Sequence, residues 1–147
     1  MTMTELLDQW RHIHHAWARG TEPAGPAADA DLAALEQVFR SKGAATLPAE
    51  AFELWSQMDG LGIGLISIWA VRSRETANGL QDGVIDSNSE LTRELEEHVY
   101  VGTIGGEYLG YHVPTGRVDL VDVAGTPRDG FPDLCSVLQV MVSMEGG

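Results

Sequence analysis

Basic residues are scarce in this chain of 147 residues: nine lysines and arginines stand against 22 aspartates and glutamates, which leaves a net charge of −13. Such a surplus opposes binding to nucleic acid or to an anionic membrane and favours attraction to a basic protein surface. Cysteine is almost absent as well. The single cysteine, Cys135, excludes an internal disulfide and a Cys-x-x-Cys metal site, and is typical of a reducing compartment.

Long apolar runs are also missing. The most apolar stretch, Leu61 to Val71, is about half the length of a membrane span and contains glycines. Residues 1–8 lack the basic start of a secretory signal and reach an acid before any apolar run forms. We therefore expect a cytoplasmic protein that makes no contact with a membrane.

Motifs of catalysis and cofactor binding are not found. The sequence has no Gly-x-Ser-x-Gly, and the glycine-rich stretch Gly102 to Gly106 lies in a predicted hairpin instead of before a helix that could bind phosphate. Two pairs of acids, Glu96 with Glu97 and Asp119 with Asp122, point in different directions, so neither resembles a catalytic dyad. We expect no catalytic residue and no cofactor.

Histidines are the residues that come nearest to a metal site. His12 and His15 share a helical face beside His14, but no acid stands at a ligand spacing on that turn. A solvated polar helix face explains these histidines more simply, so we expect no bound metal. His98 follows Glu94 by four residues, which predicts an ion pair at the end of a helix.

The first third of the chain has the apolar spacing of helices. A capping box at residues 2–5 predicts a first helix that extends to about Arg19. A second helix is predicted to begin near Asp29 or Asp31, where a carboxylate can cap it, and to end before Gly43.

A third helix is predicted to start with Pro48 at its first position and to stop at Gly60. Its buried face is predicted to contain Phe52, Trp55 and Met58. The apolar, β-branched stretch from Leu65 to Val71 then predicts a strand that is covered on both faces. The acidic connection that follows, Glu75 to Glu97, is predicted to end in a short helix capped by Ser87 to Glu90.

The clearest local signal is a hairpin. Val99 to Ile104 and Glu107 to Val113 have the composition of strands, and Gly105-Gly106 between them suits a two-residue turn. Val118 to Val123 predicts a third strand, and the turn residues from Thr126 to Gly130 interrupt the pattern. A last helix is predicted to bury one face and to hold Cys135 as a small buried hydrophobe. Its buried face is predicted to contain Leu134, Leu138 and Met141.

This order of elements is typical of an α+β domain. We expect a mainly antiparallel twisted sheet, made of the meander and a further strand, packed with helices and carrying an extra N-terminal helix. The predicted organisation is an N-terminal helix at residues 1–20, a linker at residues 21–28 and the α+β domain at residues 29–147.

Two blocks of the sequence are similar to the SUKH superfamily, which includes the fungal Smi/Knr cell-wall regulator and many bacterial immunity proteins. In the first block, Leu35 to Trp55 resembles the helix pair of the family, with Leu47-Pro48 inside it and Asp59-Gly60 where an Asn-Gly often closes the second helix. In the second block, Val101 to Tyr111 and Thr115 to Asp122 resemble the glycine-rich meander of the family.

The resemblance covers about Asp29 to Ser143 and implies protein binding instead of catalysis. Bacterial members neutralise a toxin delivered between cells, often a nuclease, a deaminase or an ADP-ribosyltransferase. The implied partner is a cognate toxin with a basic surface, whose active site this acidic chain would block. The alternative, a non-catalytic regulatory or scaffold module that binds a housekeeping protein, stays open.

Within the acidic connection, the stretch from Asp82 to Glu97 is the predicted contact surface for that partner. Its acids outnumber its one base, Arg93, and although such a run usually forms a solvated face, as a group it would steer a basic partner. Tyrosines nearby fit either aromatic anchors of an interface or a core between sheet and helices. The predicted partner-binding residues are Asp82, Asp86, Glu90, Glu94, Glu96, Glu97, Tyr100, Tyr108 and Tyr111.

Overall fold

The computed structural model describes residues 2–17, 24–63, 65–76, 79–91 and 97–146. The helices in these ranges are α1 (Met3–Trp17), α2 (Asp29–Ser41), α3 (Ala49–Trp55), α4 (Val84–Leu91) and α5 (Leu134–Gly146). The strands are β1 (Leu61–Ile63), β2 (Ile66–Ile68), β3 (Arg74–Thr76), β4 (Gly79–Gln81), β5 (His98–Ile104), β6 (Glu107–His112), β7 (Val118–Val121) and β8 (Pro127–Phe131).

Six of these strands form one antiparallel sheet in the order β1-β2-β5-β6-β7-β8, and β3 pairs with β4 in a separate ribbon. The predicted α+β class, with an antiparallel sheet and an N-terminal helix, is confirmed. The strand predicted from Leu65 to Val71 is the shorter β2, in which Ile66 and Ile68 are buried. The strands β1, β3 and β4 were not predicted.

One hydrophobic core joins the helices to the sheet. The helix α1 packs against α3 and α5, and its inward side chains are at most 3% exposed. Those side chains are Met3, Leu6, Leu7 and Trp10. The N-terminal helix therefore belongs to the same core as the sheet.

The first helix begins as predicted. The Thr2 hydroxyl accepts a hydrogen bond from the Glu5 amide, which is one of the two bonds of a capping box. The Glu5 carboxylate accepts from the same hydroxyl at 3.2 Å. The predicted end of this helix, near Arg19, lies outside the described residues, as do all of residues 18–23. The cap predicted for α2 is wrong, because Ala28 stands at that position and no side chain caps the helix. Gly43 follows the helix with a φ of +102°, as a glycine after a helix end often does.

In α3 two details differ from the prediction. Pro48 stands at the N-cap, directly before α3, instead of at the first helical position, and no side chain caps the helix there. Phe52 is 52% exposed, so its place on the buried face was wrong, whereas Trp55 and Met58 are fully buried. The Trp55 indole N–H donates to the Trp69 carbonyl at 2.9 Å, which ties the helix to the segment after β2.

The hairpin β5–β6 is confirmed, with Gly105 at a φ of +58° in its turn. The third strand of the meander, β7, ends earlier than predicted, at Val121. The expected interruption at Thr126 to Gly130 was wrong, because Pro127–Phe131 pairs with β7 as the edge strand β8. The apolar face of the last helix is confirmed, since Leu134, Leu138 and Met141 are fully buried.

Candidate functional site

The helix α4 forms the middle of the acidic connection, and it begins earlier than predicted. Ser87 lies inside this helix and does not cap it. The first amides of the helix are held by backbone bonds, from Val84 to the Ala70 carbonyl at 2.9 Å and from Ile85 to the Val71 carbonyl at 3.0 Å. The start of α4 is therefore fixed to the segment that follows β2.

The middle of α4 is fixed to the sheet by Asn88, which is only 2% exposed. Its side-chain N–H donates to the Tyr100 carbonyl at 2.8 Å, and its side-chain oxygen accepts from the Tyr100 N–H at 2.8 Å. The strand β2 pairs with β5 only at Gly102 to Ile104. The Asn88 amide therefore takes the place of a strand neighbour for Tyr100, whose buried backbone groups need partners.

Anchoring of α4 leaves two of the predicted contact acids at the surface. Asp82 and Asp86 are exposed, and the Asp86 carboxylate accepts a hydrogen bond from the Ser73 amide at 3.3 Å. Glu90 lies in α4 near its C-terminal end. Glu94 and Glu96 lie outside the described residues.

Glu97 is exposed and contacts His112 at the end of β6, whose ring lies 4.8 Å from that of His98. Its carboxylate lies 3.0 Å from His112 Nε2, and the other ring nitrogen, Nδ1, lies 2.7 Å from the Thr115 hydroxyl. With the proton on Nε2, His112 donates to Glu97 and accepts from Thr115. The Arg117 amide donates to the same hydroxyl at 3.3 Å, so these bonds fix the turn between β6 and β7.

His98 was expected at the end of a helix but begins the strand β5, and its predicted partner Glu94 lies outside the described residues. Its Nε2 lies 2.9 Å from the Asp119 carboxylate on β7, two strands away. The imidazole crosses β6 at Gly110, where a Cβ atom would stand 3.1 Å from the ring. Lack of a side chain at Gly110 leaves room for the His98 ring on its way to Asp119.

The three tyrosines do not form a single exposed group. Tyr100 is 3% exposed and Tyr111 is 5% exposed, so burial favours a core role for both over an interface role. The Tyr111 ring meets the edge of Phe39 at 5.3 Å, and burial, together with Glu50 and Asp133, raises the pKa of its phenol. Tyr108 is partly buried and contacts the Tyr100 ring at 5.6 Å.

The arginines that the structure describes pair with acids other than Asp82 and Asp86. Each arginine in the described ranges lies within 4.0 Å of a carboxylate. No arginine in these ranges lies within that distance of Asp82 or Asp86. The pairs are Arg11–Asp8, Arg40–Glu36, Arg72–Asp31, Arg74–Asp59, Arg117–Asp119, Arg117–Asp129 and Arg128–Glu107.

Metal and thiol chemistry have little support among the described residues, where no cluster of three or more His, Cys, Asp or Glu could hold a metal ion. The His14 ring stacks on Trp10 at 4.8 Å, and the side chain of His15 lies outside the described set. Cys135 is partly buried, and burial, followed by Glu50 and Asp133, raises the pKa of its thiol to about 11. A thiol with that pKa is a poor nucleophile at neutral pH.

No helix in the described part of the chain is long and apolar enough to cross a membrane. Comparison with models of known protein families and with curated proteins gave no match to this chain.

Proposed function

We propose that this chain is an immunity protein of the SUKH type, which binds a cognate toxin and blocks its active site. The observation that carries the proposal is the surplus of exposed carboxylates around α4. Asp82 and Asp86 are exposed and have no arginine partner in the described ranges, while the arginines there are already paired with other acids. The nearby Arg72 and Arg74 are paired with other acids, so both carboxylates remain open to a basic partner.

The rigid attachment of α4 supports this role. Asn88 bonds both backbone groups of Tyr100, and the first amides of α4 are bonded to the segment after β2. The acids thus hold their positions before a partner arrives, which reduces the entropy lost on binding. An acidic surface suits a toxin that handles nucleic acid, because the active site of such an enzyme must attract phosphate.

Growth rescue tests the proposal. The chain is co-expressed with the product of the gene directly upstream, and growth is compared with that of cells expressing the upstream product alone. Restored growth, together with a complex that co-purifies, supports immunity. Continued toxicity with this chain soluble and abundant contradicts it and favours the scaffold alternative, for which an unbiased pull-down is the next experiment.

The contact surface is tested by charge reversal, once a toxin is in hand. The double variant Asp82→Lys/Asp86→Lys is compared with Asp8→Lys/Glu53→Lys, which makes the same change in net charge at exposed acids on α1 and α3. The first variant should slow association about tenfold or more at low salt and flatten its salt dependence. Equal rates for the two variants, with both folded by thermal melting, would remove this surface from the interface.

A further inference from the structure

A groove runs between the last residues of β8 and the outer side of α5. The groove is open to solvent, has a volume of about 530 Å³, and its wall is mainly apolar. The residues on α5 recur at the spacing of one helix face, and that face is distinct from the one that packs in the core. The groove is lined by Phe131, Pro132, Ser136, Gln139, Val140 and Ser143.

The polar groups in this wall are mostly used within the chain. The Ser136 hydroxyl donates to Asp133 at 2.7 Å, and the Ser143 hydroxyl donates to the Gln139 carbonyl at 2.7 Å. Val140, on the outward side of α5, is 37% exposed. The groove therefore offers an apolar surface in which a side chain from another molecule could be buried.

The strand next to the groove has an open edge. β8 is the last strand of the sheet, and no strand in the described ranges pairs with its outer side. Pro127, Arg128 and Asp129 protect the first part of this edge, because proline and charged residues oppose indiscriminate pairing. The pairing of β8 with β7 is irregular between Arg128 and Phe131. Gly130 in this part is exposed and has no side chain to cover its backbone, directly before the groove.

An open strand edge beside an apolar groove is the arrangement in which extended peptides add a strand to a sheet. We propose that an extended segment of a partner protein, with alternating apolar and basic side chains, pairs with β8 and places an apolar side chain in this groove. The basic character follows from charge complementarity. No lysine or arginine lines the groove. Beside it, Asp129 is 94% exposed and lies 3.7 Å from Arg117, and Arg128 on the same strand is already paired with Glu107. The chain as a whole carries a net charge of −13.

The test needs no toxin, so its outcome is separate from that of the immunity proposal. The probe is a fluorescent eight-residue peptide of alternating lysine and valine, and binding is measured by fluorescence polarisation. A matched peptide with N-methyl groups on alternate amides keeps the charges and side chains but loses the strand hydrogen bonds. We expect the methylated peptide to bind this chain at least about tenfold more weakly than the unmodified peptide.

Two variants of equal charge locate the site. Val140→Lys adds a positive charge inside the groove, and Val123→Lys adds the same charge at a valine that is 85% exposed in the turn after β7 and does not line the groove. We expect Val140→Lys to weaken binding about tenfold or more and Val123→Lys less than about threefold. Amide shifts on adding the peptide should centre on β8 and α5.

Three results would overturn the proposal. Equal binding of the two peptides would show charge attraction without strand pairing. Equal losses in the two lysine variants, or shifts centred away from β8, would place the peptide elsewhere. A dimer that Val140→Lys converts to a monomer in light scattering would identify a second copy of the chain as the occupant.

Discussion

Among the described residues, two strands of the sheet have backbone groups that no neighbouring strand pairs: β5 at Tyr100, beyond the part that β2 pairs, and β8 along its outer side. These two open sides differ in how they are covered. Beyond the last residue that β2 pairs, the edge of β5 is closed by a side chain, because Asn88 satisfies both backbone groups of Tyr100. The outer edge of β8 has no such cover, and its first four residues are exposed to solvent. Water can satisfy backbone groups at β8, whereas those of Tyr100 are buried and depend on one amide.

The difference shows how an edge is matched to its surroundings. A buried edge needs a partner of fixed geometry, and an asparagine on a helix supplies the donor and the acceptor together. A solvated edge needs only to avoid unwanted pairing, and Pro127 with its charged neighbours achieves this. The closed edge should therefore be intolerant of substitution and the open edge tolerant.

Glycine-to-alanine substitutions should give the largest contrast. A Cβ at Gly102 would stand 2.0 Å from the Ser67 carbonyl oxygen in the buried part of the sheet, and a Cβ at Gly130 would stand 2.6 Å from the Val118 carbonyl oxygen. We expect Gly102→Ala to cost about 3 kcal/mol or more and Gly130→Ala about 1 kcal/mol, because an edge strand can shift outward. Urea unfolding of both variants measures the difference, and equal losses would contradict it.

Removal of the closing amide should have the next largest effect. Asn88→Leu leaves the Tyr100 N–H and carbonyl without their partner, and we expect a loss of about 2–4 kcal/mol in unfolding free energy. Ser89→Ala on the exposed side of the same helix is the control and should change stability by less than about 0.5 kcal/mol. Losses of similar size in both would mean that Asn88 does not close this edge.

At the open edge a charged pair should matter much less. The Arg128 guanidinium bonds the Glu107 carboxylate between β8 and the start of β6, and the arginine side chain is 62% exposed. We expect Arg128→Ala to leave the midpoint of urea unfolding almost unchanged, since exposed ion pairs contribute little. A clear fall of the midpoint would show that this edge is held more firmly than its exposure indicates.

The last expected effect is confined to high pH and concerns Cys135, at the start of the helix that lines the groove. Its thiol pKa is raised from 9.0 to about 11, so above pH 9 the unfolded chain releases this proton before the folded chain does. Stability should therefore fall as the pH rises from about 9 to about 11. Cys135→Ala should fall less steeply in urea unfolding under reducing conditions, and identical slopes would contradict this.

Local chemistry explains which parts of the fold could be predicted from the sequence. Gly105-Gly106 suits a hairpin wherever it occurs, and the spacing of Leu134 and Leu138 predicts the buried side of α5. The strand β8 has the composition of a turn and becomes a strand only because it pairs with β7. That pairing is a tertiary effect that no local pattern contains.

The candidate site divides in the same way. The exposure of Asp82 and Asp86 follows from their charge, but the burial of Tyr100 and Tyr111 depends on which side of the sheet the helices cover. Asn88 was missed as an anchor. Its spacing of four residues from Val84, which is fully buried, was the available signal, because it places the amide on the inward stripe of a helix.

Gly110 does more than leave room for an imidazole. It is the only residue of β6 without a Cβ, and the bond between His98 and Asp119 passes over it. If β6 slipped by one or two residues against its neighbours, a bulky side chain would occupy that crossing and the bond could not form. The bond between His98 on β5 and Asp119 on β7 therefore forms only when β6, which lies between these strands, is in its native register.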